Sequence, residues 1–145
     1  MRVLPDTSVL VAAVVDMHEA HTRAFAALDR VQQGRDMGVV SAHSLAEMYA
    51  ILTRVPAPLR HSPAKAFPSI EENVLKHFEL LALDGNDYAA TIREAAMSGI
   101  RGGTVYDAIL LKAAAKALVD RVYTLHLKHF LAVAPRTLAS TLAVP

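Results

Sequence analysis

Apolar residues along this chain fall into short runs that alternate with longer stretches of helical spacing. Met1 to Leu4 is a β-prone run ended by Pro5. Asp6, Thr7 and Ser8, all helix-capping types, precede the apolar stretch Val9 to Ala13, so a strand runs directly into a helix. From His18 to Val31, apolar residues recur at helical spacing until Gly34 stops them. Gly38 to Val40 predicts a short strand. Ser41 or His43-Ser44 then opens a helix over Leu45 to Val55, closed by Pro56 and Pro58. Ala57 to Pro68, broken by Pro58, Pro63 and Pro68, predicts a linker, with helix propensity returning from Ser69 to Lys76. Phe78 to Leu83 predicts a buried strand and Asp87 to Met97 a helix closed by Gly99. Gly102-Gly103 forms a joint, Thr104 caps a helix through Val119, Arg121 to Leu125 predicts a strand, and Leu131 to Val133 a weak last one.

Short strands that are apolar on both sides and alternate with helices predict a parallel sheet covered on both faces. The expected fold class is α/β: one three-layer α/β/α domain over residues 1–145, with a short, mostly parallel central sheet. A 53% hydrophobic, 20% charged composition suits such a buried sheet and not a disordered chain. The absence of cysteine excludes disulfides, thiolate metal sites and a cysteine nucleophile. The start of the chain does not read as a signal peptide, and Val9 to Val15 is too short to span a bilayer. A soluble, cytoplasmic protein without a membrane partner is the expectation. A net charge of +1 gives no global basic field, so any contact with nucleic acid must come from local patches.

Three acids stand out against this pattern. Asp6 follows the first strand, where open α/β sheets bind their ligands, although an Asp there also caps a helix. Glu47 sits one turn into the helix after the second strand, among nearly all apolar neighbours; a solvent-facing Glu paired with Arg54 is the plain alternative. Asp107 lies in Val105-Tyr106-Asp107-Ala108-Ile109-Leu110-Leu111, where an unpaired carboxylate against apolar surface costs several kcal/mol or more. All three start helices on one side of a parallel sheet. Carboxylates gathered there repel one another unless a hard cation neutralises them, and an all-oxygen donor set suits Mg²⁺ or Mn²⁺. His18 and His21 are three apart but sit among polar residues, and read as a solvated face instead of a zinc site.

These segments also carry a resemblance. Val3-Leu4-Pro5-Asp6-Thr7-Ser8-Val9-Leu10, Ser44-Leu45-Ala46-Glu47-Met48-Tyr49-Ala50-Ile51-Leu52-Thr53-Arg54 and Gly102-Gly103-Thr104-Val105-Tyr106-Asp107-Ala108 resemble, in order and spacing, the three motifs of PIN-domain ribonucleases. The length is that of the VapC-type toxins of toxin–antitoxin pairs. The resemblance implies an acidic cluster binding Mg²⁺ or Mn²⁺, endonucleolytic cleavage of single-stranded RNA, a homodimer, and an antitoxin whose tail covers the site. It implies Asp6 and Asp107 as principal metal ligands, with Glu47 joining directly or through water. Thr7 and Ser8 would support Asp6, and Thr104 would offer a hydroxyl or a cap. His126 stands where members often carry a fourth acid, which favours one metal ion over two and leaves His126 to meet substrate phosphate or donate a proton. Arg54, Arg101 and Lys128 are the cations expected to contact substrate, while Tyr49 and Tyr106 read as core or interface residues. A receiver domain needs an acidic pair after the first strand, and a haloacid-dehalogenase phosphatase an Asp at position 8; the chain has Asp6 alone and Ser8. The remaining alternative is a catalytically weak PIN-like domain that binds RNA or an antitoxin.

Overall fold

The computed structural model describes residues 1–145. Its centre is a five-stranded sheet of β1 (Arg2–Pro5), β2 (Met37–Ser41), β3 (Phe78–Leu81), β4 (Arg121–Tyr123) and β5 (Leu142–Ala143). The strands are all parallel, in the order β3-β2-β1-β4-β5. Because side chains alternate along a strand, Val3 and Val40 enter one core, with Val9, Leu10, Met48 and Leu52. Leu4, Val39 and Val122 enter the other, with Leu110, Leu111 and Phe130. Helices therefore cover both faces, which is what doubly apolar strands require. Gly38 lets β2 approach its neighbours closely, since a Cβ there would stand 2.4 Å from the Phe78 ring and 2.6 Å from Val31.

The helices are α1 (Thr7–Val14), α2 (His21–Gln32), α3 (Ala42–Arg54), α4 (Pro63–Ile70), α5 (Gly85–Met97), α6 (Thr104–Lys116), α7 (Leu127–Val133) and α8 (Arg136–Ala139). Four sequence expectations need correction. The proline-rich linker is shorter than expected: Ser62 accepts from the Lys65 N–H and Pro63 takes the first helical position, where its missing N–H costs nothing. A wide helical turn over Glu71–Leu75 follows α4. The strand at Phe78 stops at Leu81 and is an edge strand with Glu79 and Leu80 exposed, not a buried one. Leu131 to Val133 is the end of α7, and the last strand is Leu142–Ala143; three apolar residues fit either period. Finally, α6 starts from Gly103, and Thr104 does not cap it.

Chain order reverses between β1 and β4: from the central β1 the chain first builds outward through β2 and β3, then returns to β4 on the other side. The crevice beyond the carboxyl ends of strands at such a switch is where α/β sheets hold ligands. Asp6 leaves β1 at this point, and Thr124 leaves β4 beside it.

Candidate active site

Asp6 is 4% exposed and caps α1. Its Oδ1 accepts from Ser8 Oγ at 2.5 Å and the Val9 N–H at 3.0 Å, and its Oδ2 accepts from Thr124 Oγ1 at 2.6 Å. A carboxylate has about four lone-pair sites, so three are occupied and one is left for a ligand. The supporting hydroxyls are themselves fixed. Ser8 Oγ accepts from the Leu125 N–H at 3.1 Å and Thr124 Oγ1 from the His126 N–H at 2.9 Å, which ties the ends of β1 and β4 together. Burial pushes the Asp6 carboxyl above the ordinary carboxylate range, against the pull of Ser8, Thr124 and Val9.

Glu47, in the second turn of α3, is only part-exposed. Its Oε2 accepts from Thr7 Oγ1 at 2.7 Å, and its Oε1 lies 3.3 Å from His43 Nε2, outside hydrogen-bond alignment. Thr7 thus supports Glu47, whereas Ser8 supports Asp6; the expectation that both hold Asp6 is half right. Arg54 is not the partner of Glu47.

Asp107, in the first turn of α6, is half-buried. Burial raises its pKa most, followed by the negative charge of Asp6; Glu47 adds to this, while His129 and His126 oppose it. No hydrogen-bond donor is among the influences on it. An acid raised by burial and by the charge of two neighbouring acids carries the electrostatic mark of a carboxylate cluster.

These groups share one cleft of about 180 Å³, lined by Asp6, Glu47 and Asp107 together with Thr7, Ser8, His43, Tyr106 and His126, among others. No Lys or Arg lines it. Thr104, Arg54, Arg101 and Lys128 do not line it; Thr104 is part-buried at the start of α6, and the three cations are exposed. Thr124 and His43 are the residues that sequence reasoning missed. Thr124 fell inside the strand predicted over Arg121 to Leu125, whereas β4 ends at Tyr123 and leaves Thr124 beside Asp6. His43 gave none, because the face it shows depends on how α3 packs.

No three His, Asp or Glu side chains close to the spacing of a metal's ligand shell. The donor chemistry nevertheless fits a hard divalent cation: three carboxylates converge without a Lys or Arg, and two are held above their ordinary pKa.

Comparison with known proteins points to one family. The family model described as the PIN domain matches residues 3–125. Ribonuclease VapC40 of Mycobacterium tuberculosis is 36% identical over 123 residues, covering 82% of this chain and 85% of the relative. Ribonuclease VapC27 of the same organism is 33% identical over 111 residues, covering 77% and 75%. In structure, M. tuberculosis VapC20, described as a toxin cleaving the sarcin–ricin loop, superposes with a TM-score of 0.70 over 92% of this chain and 96% of its own, at 15% identity. A chain of Rickettsia felis VapBC2, solved bound to a promoter DNA fragment, gives a TM-score of 0.61 over 90% and 91%, also at 15% identity. At that identity the structural likeness speaks for the fold alone.

Proposed function

The chain belongs to the PIN-domain family and is related to VapC ribonucleases, and on that premise we propose that it is a Mg²⁺- or Mn²⁺-dependent endoribonuclease that hydrolyses single-stranded RNA as the toxin of a toxin–antitoxin pair. The observation that carries this reading is the convergence of Asp6, Glu47 and Asp107 in one cleft that no Lys or Arg neutralises. Residues 1–145 act in it as one nuclease domain.

Asp6 and Asp107 would hold the cation, and Glu47 would join them directly or through a water. Bound there, the cation supplies the Lewis acidity that makes a water nucleophilic and offsets charge on the phosphate. Ser8 and Thr124 fix the Asp6 carboxylate so that its remaining lone pair is aimed without reorganisation. Glu47 is better suited than Asp6 to accept the proton of the attacking water, because only its Oε2 is engaged by a hydroxyl donor while Asp6 already takes three hydrogen bonds. His126 lines the same cleft and offers an imidazole to the phosphate. Attack by water leaves a 5′-phosphate on the downstream fragment.

An antitoxin partner is supported by the relatives' class and by the VapBC2 assembly on the structural side. Homodimerisation is supported by apolar surface on α3 and α4, where Tyr49 is 40% and Phe67 54% exposed. The test is cleavage of single-stranded RNA with Mg²⁺ or Mn²⁺ by the wild type, by Asp107→Asn, and by the wild type in EDTA. The reading expects cleavage only in the first case, with 5′-phosphate products. Equal cleavage by Asp107→Asn, or a cyclic phosphate on the upstream fragment, overturns it.

A further inference from the structure

Two rings in the cleft stack on one another beside its carboxylates. His43, in the first turn of α3, and Tyr106, in the first turn of α6, stack with centroids 5.0 Å apart and planes 22° apart. Both line the cleft. Tyr106 immediately precedes Asp107, and His43 lies one turn before Glu47, so the stack bridges the two helices that carry those acids. Tyr106 nevertheless remains 48% exposed. The ring also has a backbone neighbour at Gly103, where an added Cβ would stand 3.9 Å from it. His43 thus packs against the Tyr106 ring, which stays partly exposed at the cleft.

We infer that Tyr106, backed by His43, is a nucleobase subsite on which one base beside the scissile phosphate stacks. The inference rests on the nuclease reading above and deepens it. With no Lys or Arg lining the cleft, charge alone does not hold a polyanion there. Unpaired RNA bases offer their faces to aromatic side chains, and this attraction accepts any base. The cation that the acids would hold and the platform then take the two parts of one nucleotide, its phosphate and its base. Of the two roles expected for Tyr106, core or interface, its exposure speaks against the core.

The test uses Asp107→Asn in EDTA as a non-cleaving background, a fluorescein-labelled single-stranded oligoadenylate as probe, and AMP and ribose 5-phosphate as competitors. In this background AMP competes about tenfold better than ribose 5-phosphate, which has the phosphate without the base. Adding Tyr106→Ala weakens oligoadenylate binding about tenfold, the equivalent of ~1.4 kcal/mol for one lost stack, and abolishes the preference for AMP. Tyr106→Phe keeps both, and Tyr106→Leu, which keeps bulk without the ring, behaves as Tyr106→Ala and serves if that variant fails to fold. In metal-supported cleavage by the otherwise wild-type chain, Tyr106→Ala raises KM about tenfold with kcat nearly unchanged, whereas a purely structural role that displaced Asp107 would lower kcat. Equal competition by the two phosphates, absence of oligoadenylate binding, or unchanged binding by both Tyr106→Ala and Tyr106→Leu overturns the subsite. A chain that cleaves RNA yet treats the two competitors alike refutes the subsite alone. One that prefers AMP yet cleaves nothing refutes the nuclease reading alone.

Discussion

At the amino end of the sheet, Asp36 accepts from the N-terminal ammonium at 3.0 Å and from Arg30 at 2.6 and 3.2 Å. Nearby, Asp120 accepts from the Arg2 N–H at 2.7 Å and Glu79 from the Arg2 guanidinium at 2.8 Å. At the carboxyl end, Asp6, Glu47 and Asp107 meet hydroxyls, one backbone N–H and imidazoles, but no Lys or Arg. The difference appears in the titrations. Hydrogen bonding to Arg30 holds Asp36 below the ordinary carboxylate range, while burial holds Asp6 and Asp107 above it. One end of the sheet uses its acids to close the fold; the other keeps them short of counter-charge, which is what the proposed cation site requires.

The sharpest way to break this contrast is Asp107→Asn. Cleavage is expected to fall at least about a hundredfold, since a carboxylate proposed to hold the cation is lost. The same change should leave Tm in EDTA at pH 7 unchanged or higher. The sign follows from linkage: the folded-state pKa of Asp107 lies above its unfolded value, so the folded chain binds more protons, and this acid's contribution to stability declines as pH rises from the unfolded value through the folded one. The amide carries no charge to desolvate, so it removes this cost wherever the carboxylate is ionised. Mn²⁺ should raise the Tm of the wild type and leave the variant's nearly unmoved, which thermal denaturation with and without the ion measures. A variant that loses both activity and stability would make Asp107 a structural residue.

Asp36→Asn is the mirror experiment. The carboxylate is buried between two cations that are themselves part-exposed, so its loss should cost about 1–3 kcal/mol, seen as a fall in Tm of several degrees, with cleavage per folded molecule unchanged. Here the folded-state pKa lies below the unfolded value of 3.8, so the stabilisation is fully present above 3.8 and is lost as pH falls through the folded value. The Tm difference between wild type and Asp36→Asn should therefore close on acidification, opposite to the behaviour of Asp107.

Much of this contrast was legible in the sequence, because strand ends are. The runs at Val3-Leu4, Val39-Val40 and Val122 mark strands buried on both faces, and whatever follows a parallel strand reaches the same side of the sheet. That rule places Asp6 in the cleft and Asp120, which precedes β4, at the far end on Arg2. Partners across the fold were not legible. Thr7 and Ser8 are adjacent, yet Thr7 turns to Glu47 on α3 and Ser8 to Asp6, because successive residues in the first turn of a helix point about 100° apart. Thr124 reaches Asp6 only because β4 is paired with β1, a fact of strand order. Leu131 to Val133 failed for a different reason: a three-residue apolar run has too little length to show a period, and the burial of Phe130 decides for α7. The exposed cations Arg54, Arg101 and Lys128 carried no pattern that separates a substrate contact from solubility.

The smallest expected effect is at Glu79, and it tests whether pairing or burial sets the contrast between the two ends. Glu79 lies on the edge strand β3, its side chain 55% exposed, while the Arg2 side chain it meets is 25% exposed. Solvent screens such a pair and both side chains lose rotamer freedom to form it, so Glu79→Gln should cost less than ~0.5 kcal/mol. Arg2 also keeps its hydrogen bond to the Ala117 carbonyl at 2.8 Å, which leaves the guanidinium in place without its carboxylate partner. High salt should shrink the small difference in Tm further, because screening acts on exposed pairs first. If Glu79→Gln instead cost as much as Asp36→Asn, ion pairing itself, whatever its depth, would govern the amino end.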